Sequence, residues 1–462
     1  MKKIFVTLLV VALVLLCLPF VLGFEIESRY RGLLNRFEEA GYQLESHDYQ
    51  RGFFVSEARS RLVLPLNDIT GETEGLPFTL VSHIQHGPYN PELGWFGDLT
   101  RFSTEIEVED KPLFTDEANA SIETRVKFSG DGITHMDFSA LQQPVALKQG
   151  MQLEFAGMQG QMQFDAGMER LQLNMHSDGL QILTPKGGRL DFGAMRIEAD
   201  SHKGIEDLML GTTSIQLQRI AVTDPESQVN LDITDTRASA TTGTSSTDGN
   251  VDMRVVYSIK QMQVAEQNFG PAIMQIDLSS LSAAALARVQ ESMQEMRQNK
   301  VAPQQQGMAV MGVLMSVLPA VLEQNPGIAI SQFELGTPQG KVVLDLTLQA
   351  DGMTMADISS PQQVLNKLQG KASMRIPESI VRLLMANSVR QQLVISLAQS
   401  DQEIDQEALE QQVEQLVDAQ IEAVLGQQLI ERDGLDLVSA ASLKAGLLSV
   451  NGKTVPLPQM QQ

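Results

Sequence analysis

Apolar residues recur at every second position through most of this chain. The pattern is steady from Met151 onward, in "MQLEF", "MQFD", "RLQLNM", "RLDF", "SIQLQ", "VNLDI" and "DMRVVYSI", and Leu171, Leu173 and Met175 show it well. A period of 2 places those side chains on one face and the polar ones on the other, which predicts half-exposed strands. The earlier stretch "SIETRVKF", ending at Phe128, reads the same way. Breaks such as "HSDGLQ", "TPKGGR" and "VTDPESQ" mark turns, and no long helical crossover intervenes, so the strands are expected to pair antiparallel. Ser239 to Asn250, "SATTGTSSTDGN", reads as a polar loop between two strands.

The helical period enters late. Ser279 to Asn299 opens with serines suited to capping and carries Leu281, Leu286, Val289, Met293 and Met296 on one stripe. Met308 to Leu322 is apolar almost all round, too short to span a membrane and interrupted by Pro319, which predicts a core helix. Two strands follow, "GIAISQFEL" and "GKVVLDLTLQA", the second with Val342, Leu344, Leu346 and Leu348 on one side. Pro377 is expected in the first turn of a helix through Gln399, and "SDQE" at Ser400 to Glu403 reads as a capping box opening another helix to Leu425.

On that last helix Ile404, Leu409, Val413, Leu416, Ile421 and Val424 form an apolar stripe, while Glu403, Glu407, Glu410, Glu414, Asp418 and Glu422 line another face. Like charges at that spacing repel, so the acidic face must be solvated or meet something basic. "SLKAGLLSVNGKTVPLP" closes the chain, strand-like again.

The first residues set the expected location. Two lysines precede 21 uncharged residues from Ile4 to Phe24, and Glu25 and Glu27 follow. A secretory signal has an apolar core of about 7–15 residues and a spanning helix about 20, so the segment fits an uncleaved anchor. The flanking charges predict a cytoplasmic N-terminus with the bulk outside. A cleaved signal is the competing reading, with Val21, Leu22 and Gly23 near a cleavage point.

The fold class that emerges is β-rich α+β: an N-terminal transmembrane helix, then a long antiparallel curved β-sheet, with amphipathic helices in the C-terminal part. Its expected divisions are residues 1–24 (anchor), 25–275 (antiparallel β-rich region) and 276–462 (four helices and closing strands).

Composition narrows the chemistry. The only cysteine, Cys17, lies in the anchor, so the rest of the chain has no disulfide and no cysteine-based metal site. A formal charge of −23 repels phosphate backbones and argues against nucleic acid as a partner. In "VSHIQHGPYN", His83 and His86 are set three apart and would point to opposite faces of a strand, while Gly87-Pro88 forbids a continuing helix. Both therefore read as structural.

"GLLSVNGKT" resembles a phosphate loop, but five residues separate Gly446 from Gly452 where the motif needs four, and the helix that must follow has no room. The methionines, Met158, Met162 and Met168 among the strands and Met308, Met311 and Met315 on a helix, read as adaptable packing rather than copper ligands. No catalytic, cofactor-binding or metal-binding residue is singled out, and a non-enzymatic protein without cofactors is expected.

Several motifs in order carry a resemblance: the lysine start with one spanning helix, "YQRGFFVSEARSRL" at Tyr49 to Leu62, "HGPYN" at His86 to Asn90, "KPLF" at Lys111 to Phe114, "SGDG" at Ser129 to Gly132, and the final "VNGKTVPL". Together they resemble the YdgA-like family of bacterial envelope proteins, over essentially the whole chain. The resemblance implies an inner-membrane protein facing the periplasm of a Gram-negative cell, with no assigned enzymatic activity. The one-sided strands add an expectation of their own. A sheet so wide would leave an apolar face needing cover, from a second copy in a homo-oligomer, from another envelope protein, or alternatively from bound lipid.

Overall fold

The computed structural model describes residues 42–64, 76–87, 98–108, 120–141, 150–225, 229–298, 303–358, 360–399 and 406–455, with short stretches at 19, 22–32, 34–35, 38, 89–90, 95–96, 111–112 and 143–146. Two compact units emerge. One is Met1–Gln218 with Asp224–Glu226 and Ala287–Leu314, and the other is Arg219–Thr223, Ser227–Leu286 and Met315–Gln462. Each is built on a long, open antiparallel sheet.

In the first unit, β1 (Gln43–Gln50), β2 (Val55–Leu64), β3 (Leu76–His86), β4 (Asp98–Val108), β5 (Ala120–Lys127), β6 (Gly132–Phe138), β7 (Met158–Phe164), β8 (Arg170–Ser177), β9 (Met195–Lys203) and β10 (Met209–Asp224) pair in that order, each antiparallel to the last. Residues 22–32 are helical and lie on β1 to β4, burying Ile26, Tyr30 and Leu34 against Ala58 and Ile84.

The second unit's sheet runs β11 (Val229–Thr244), β12 (Asn250–Val264), β13 (Ala272–Ser282), β14 (Gly327–Thr337), β15 (Gly340–Ala350), β16 (Leu368–Pro377), β17 (Asp436–Lys444), β18 (Leu447–Val450) and β19 (Lys453–Val455). Bulges at Val251/Met253, Gln275/Ile276 and Ile330/Phe333 interrupt its ladders, which is one way a long sheet acquires curvature. The longer helices are α1 (Ala283–Gln298), α2 (Pro303–Leu322), α3 (Glu378–Gln399) and α4 (Gln406–Gly426), of which Ala287–Leu314 in α1 and α2 groups with the first unit.

α3 and α4 form a hairpin around Val389, Leu409, Val413, Val417 and Ile421. The buried stripe repeats every fourth residue, and Leu416, expected on it, is 38% exposed. The acidic face of α4 does meet basic groups. Arg382 pairs with Asp418 at 2.5 Å, Arg390 with Glu410 at 2.7 Å, and Arg432 bridges Glu378 and Glu422 at 2.8 and 2.9 Å.

Several boundaries differ from the sequence expectation. Ser279 to Ser282 extend β13 instead of starting a helix, because Leu281 and Ser282 pair with Val251 and Asn250. The helix begins at Ala283, and the Ser282 hydroxyl accepts the Ala285 N–H at 3.3 Å, so a serine does provide the cap. Pro377 ends β16 opposite Asp436, and α3 starts one residue later. Ser239 to Thr244 belong to β11, paired with Val251 to Val256, instead of forming a loop. Strand β16 itself has no counterpart in the sequence reading.

The capping box at Ser400 to Glu403 lies outside the described residues. So does most of the expected anchor, and among the described residues no helix is long and apolar enough to cross a membrane.

Candidate functional site

Three of the motifs that carried the resemblance, "YQRGFF", "HGP" and "SGDG", meet at the N-terminal helix, while the final "VNGKT" lies in the second unit. β3 runs extended through both histidines, so they take opposite faces as the spacing requires. His83 is exposed, its Nδ1 lying 3.6 Å from the Glu57 carboxylate, while His86 is fully buried. A carbonyl can only accept, so the His86 Nδ1–H donates to the Phe53 carbonyl at 3.2 Å, and Nε2 accepts the Ser56 hydroxyl at 2.8 Å. Burial pushes the imidazole below its ordinary pKa. The Arg51 charge acts in the same direction, and the carbonyls of Phe53 and Pro19 oppose it. His86 is thus a neutral tie between β2 and β3 and the segment before them.

The neighbouring motif residues have matching roles. Arg51 lies 3.7 Å over the Phe24 ring and holds Glu27 through two nitrogens at 3.1 and 2.5 Å. Both partners sit on the helical segment, so an ion pair and a cation–π contact clamp it to the sheet. Gly52 and Gly87 are dictated by space, since a Cβ there would lie 2.0 Å from the Val55 carbonyl oxygen and 1.9 Å from that of Asp98. Under the helix lies a buried polar layer, in which the Tyr30 hydroxyl contacts Ser82 at 2.9 Å and Ser82 contacts Thr104 at 2.8 Å. The groups are bonded to one another, and the clamp is architecture.

A second feature of this unit is a polar cavity of about 630 Å³ whose lining includes Arg101, Arg125, Lys127, Arg170, Asp98 and Asp131. Arg101 and Arg125 stand directly opposite each other on β4 and β5. Arg101 is bonded to Asp98 at 2.6 Å.

In the second unit the chemistry lies in a sheet face. Ala240, Val255, Ile276, Ile330, Leu346, Ala372, Ala441 and Val450 stand side by side on eight consecutive strands. On one flank run Met253, Leu278, Ile328 and Leu348, and on the other Tyr257, Met274, Phe333, Leu344 and Met374. None of these side chains is buried, and Tyr257 and Ile328 are 46% and 41% exposed. Strands are about 4.8 Å apart and alternate residues about 6.8 Å, so the central row runs roughly 34 Å and the flanking rows widen it to roughly 14 Å over its middle four strands. The opposite face is charged, with Arg254 on Asp277 at 2.5 Å and Lys260 on Asp235 at 3.1 Å.

Sequence reasoning located this strip's residue types but no discrete reaction centre. Among the described residues no three His, Cys, Asp or Glu side chains cluster as metal ligands would. Met158 and Met162 sit in β7, Met168 in the following turn, and Met311 and Met315 are exposed on α2 at 60% and 49%. No curated protein and no solved structure matches the chain. One family model matches residues 1–458, and the chain thereby belongs to a family described as bacterial protein of unknown function, DUF945.

Proposed function

We propose that this is a non-enzymatic binding protein of the Gram-negative envelope, held to the inner membrane by the uncharged N-terminal segment ahead of the helix that packs on the sheet, with the remainder in the periplasm, whose working surface is the apolar strip of the second unit. The observation that carries the reading is that strip: eight strands of uncharged, incompletely buried side chains opposite a face of ion pairs. A run of apolar side chains left half-buried over this length suits a binding face.

Of the three occupants named from the sequence, acyl chains fit better than a second copy or another envelope protein. The strip is long and narrow, and its rows hold only Tyr257 and Phe333 as aromatic anchors, where protein interfaces concentrate Trp, Tyr and Arg. The acyl layer of one bilayer leaflet is about 15 Å deep, half of the ~30 Å core, so the strip offers room for whole chains. An anchored protein also stands beside a lipid source.

The test is native mass spectrometry and lipid analysis of the full-length protein extracted in mild detergent. Stoichiometric phospholipid or fatty acid is expected, lost on Leu346→Glu with the circular dichroism spectrum unchanged. A bare monomer overturns the reading, and a lipid-free dimer reassigns the strip to a second copy of the chain. A screen of the periplasmic part against esterase, phosphatase, glycosidase and protease substrates should stay at background. Turnover abolished by one point mutation would refute the non-enzymatic part.

A further inference from the structure

Beneath the N-terminal helix of the first unit lies a separate cavity of about 320 Å³. We propose that it binds the tail of a single-chain fatty carboxylate, with the carboxylate at Arg29. The inference is independent of the strip, which belongs to the other unit.

The walls argue for an aliphatic tail. Ile26, Tyr30, Ile84, Phe102, Val126 and Phe164 face the space. Its polar members are already satisfied: the Tyr30 hydroxyl by Ser82 at 2.9 Å, the Thr100 hydroxyl donating to the Gln85 carbonyl at 2.8 Å, and the Asp165 carboxylate accepting the Glu169 N–H at 2.6 Å. The hydroxyls that a ligand tail would meet are thus already paired. The volume is at the lower end of the roughly 300–1,000 Å³ range typical of ligand pockets, and about ten times the ~30 Å³ share of one liquid water. Two glycines line it. A Cβ on Gly32 would touch nothing within 4 Å, whereas at Gly130, with φ +93, a Cβ would lie 2.6 Å from that of Ala166 and 3.5 Å from an Arg29 guanidinium nitrogen.

Charge and position suit the head group. Arg29 is half exposed, and its pair with Glu25 at 2.9 Å is an exposed i,i+4 contact, of a kind that contributes little and exchanges readily. Ile26 and Arg29 follow Phe24, where the uncharged segment ends, by two and five residues. The cavity therefore lies at the end of the chain's uncharged N-terminal segment, and its nearness to the membrane rests on the reading of that segment as the anchor.

The experiment uses the full chain in nanodiscs and photoreactive lauric acid as the probe, with crosslinks mapped by peptide mass spectrometry. Crosslinks are expected at residues 26–32, 126 and 164–168. Gly32→Leu, at a lining position where a Cβ meets nothing within 4 Å, is expected to weaken binding on the order of a hundredfold if its four carbons displace ligand methylenes at about 0.8 kcal/mol each. Since leucine is also a better helix former than glycine, this variant should melt no lower than the wild type. Arg29→Gln should weaken binding about twofold to fivefold. Leu346→Glu on the strip should leave these crosslinks unchanged. Crosslinks confined to other peptides, or equal labelling of the Gly32→Leu protein, would overturn the assignment whatever happens at the strip.

Discussion

Replacing His86 with leucine isolates the tie that the HGP motif makes. Leucine removes the donor to Phe53 and the acceptor for Ser56, at 3.2 and 2.8 Å, and leaves a carbonyl and a hydroxyl unsatisfied in a site where the histidine is 0% exposed. Each orphaned buried group costs about 1–3 kcal/mol, and leucine recovers part of that through apolar burial, so the expected loss is about 2–4 kcal/mol. The sole tryptophan, Trp95, lies in the first unit. Urea denaturation followed by its emission therefore reports that unit, which matters because a chain of two units need not unfold in one step.

A pH series gives a second handle. Burial holds both His86 and His47 below the ordinary histidine value, so the folded state binds fewer protons than the unfolded one just below that value. Stability is then complete above about pH 6.5 and falls as pH drops from there toward the folded pKa, by up to about 1.4 kcal/mol per pH unit for each histidine. His86→Leu should remove one of the two contributions. A loss under about 0.5 kcal/mol together with an unchanged pH slope would refute the assignment of His86 as a buried neutral tie.

Three further outcomes follow from other parts of the molecule. Ile421→Ala in the α3–α4 hairpin, where the side chain is 1% exposed, should cost about 2–5 kcal/mol, whereas Leu384→Lys at 64% exposure should change stability by no more than about 0.5 kcal/mol, both read by far-ultraviolet circular dichroism in urea. Gly87→Ala should destabilise the first unit by about 3 kcal/mol, since its Cβ would sit 1.9 Å from the Asp98 carbonyl and the Gly87 N–H bond to Leu99 at 2.7 Å must give way. A neutral effect on Trp95 unfolding would contradict that geometry. The full-length protein should pellet with membranes, resist alkaline extraction and show an intact mass beginning near Met1, and an N-terminus at Phe24 would replace the anchor with a cleaved signal.

Local patterning carried the strands, and it did so because period 2 is a property of neighbouring residues. The alternation of Leu171, Leu173 and Met175 needs no partner to be read, and the odd spacing of His83 and His86 sufficed to separate their faces once the segment was extended. The amphipathic α4 was legible for the same reason, although its core turned out to follow Leu409, Val413, Val417 and Ile421 with Leu416 outside. That choice depends on where α3 approaches, which lies in another stretch of sequence. Ser279 to Ser282 and Pro377 went to strands because their partners, Gly327, Val251 and Asn250 in one case and Asp436 in the other, complete ladders that local propensity cannot see.

The functional surfaces depended still more on tertiary structure. Most apolar residues of the strip were visible as one side of some strand, although Ala240 fell in an expected loop and Ala372 and Met374 on a strand the sequence did not reveal, and only the register across eight strands aligns Val255, Ile276, Ile330 and Leu346 into one face. That these side chains remain incompletely buried is a statement about what the helices cover, and covering is decided by long-range packing. The clamp shows the same division. "YQRGFF" and "HGP" could be recognised as motifs, but their purpose was fixed by Arg51 meeting Phe24 and Glu27, and by His86 meeting Ser56 and Phe53, contacts between groups 24 to 33 residues apart that exist only once the chain has folded.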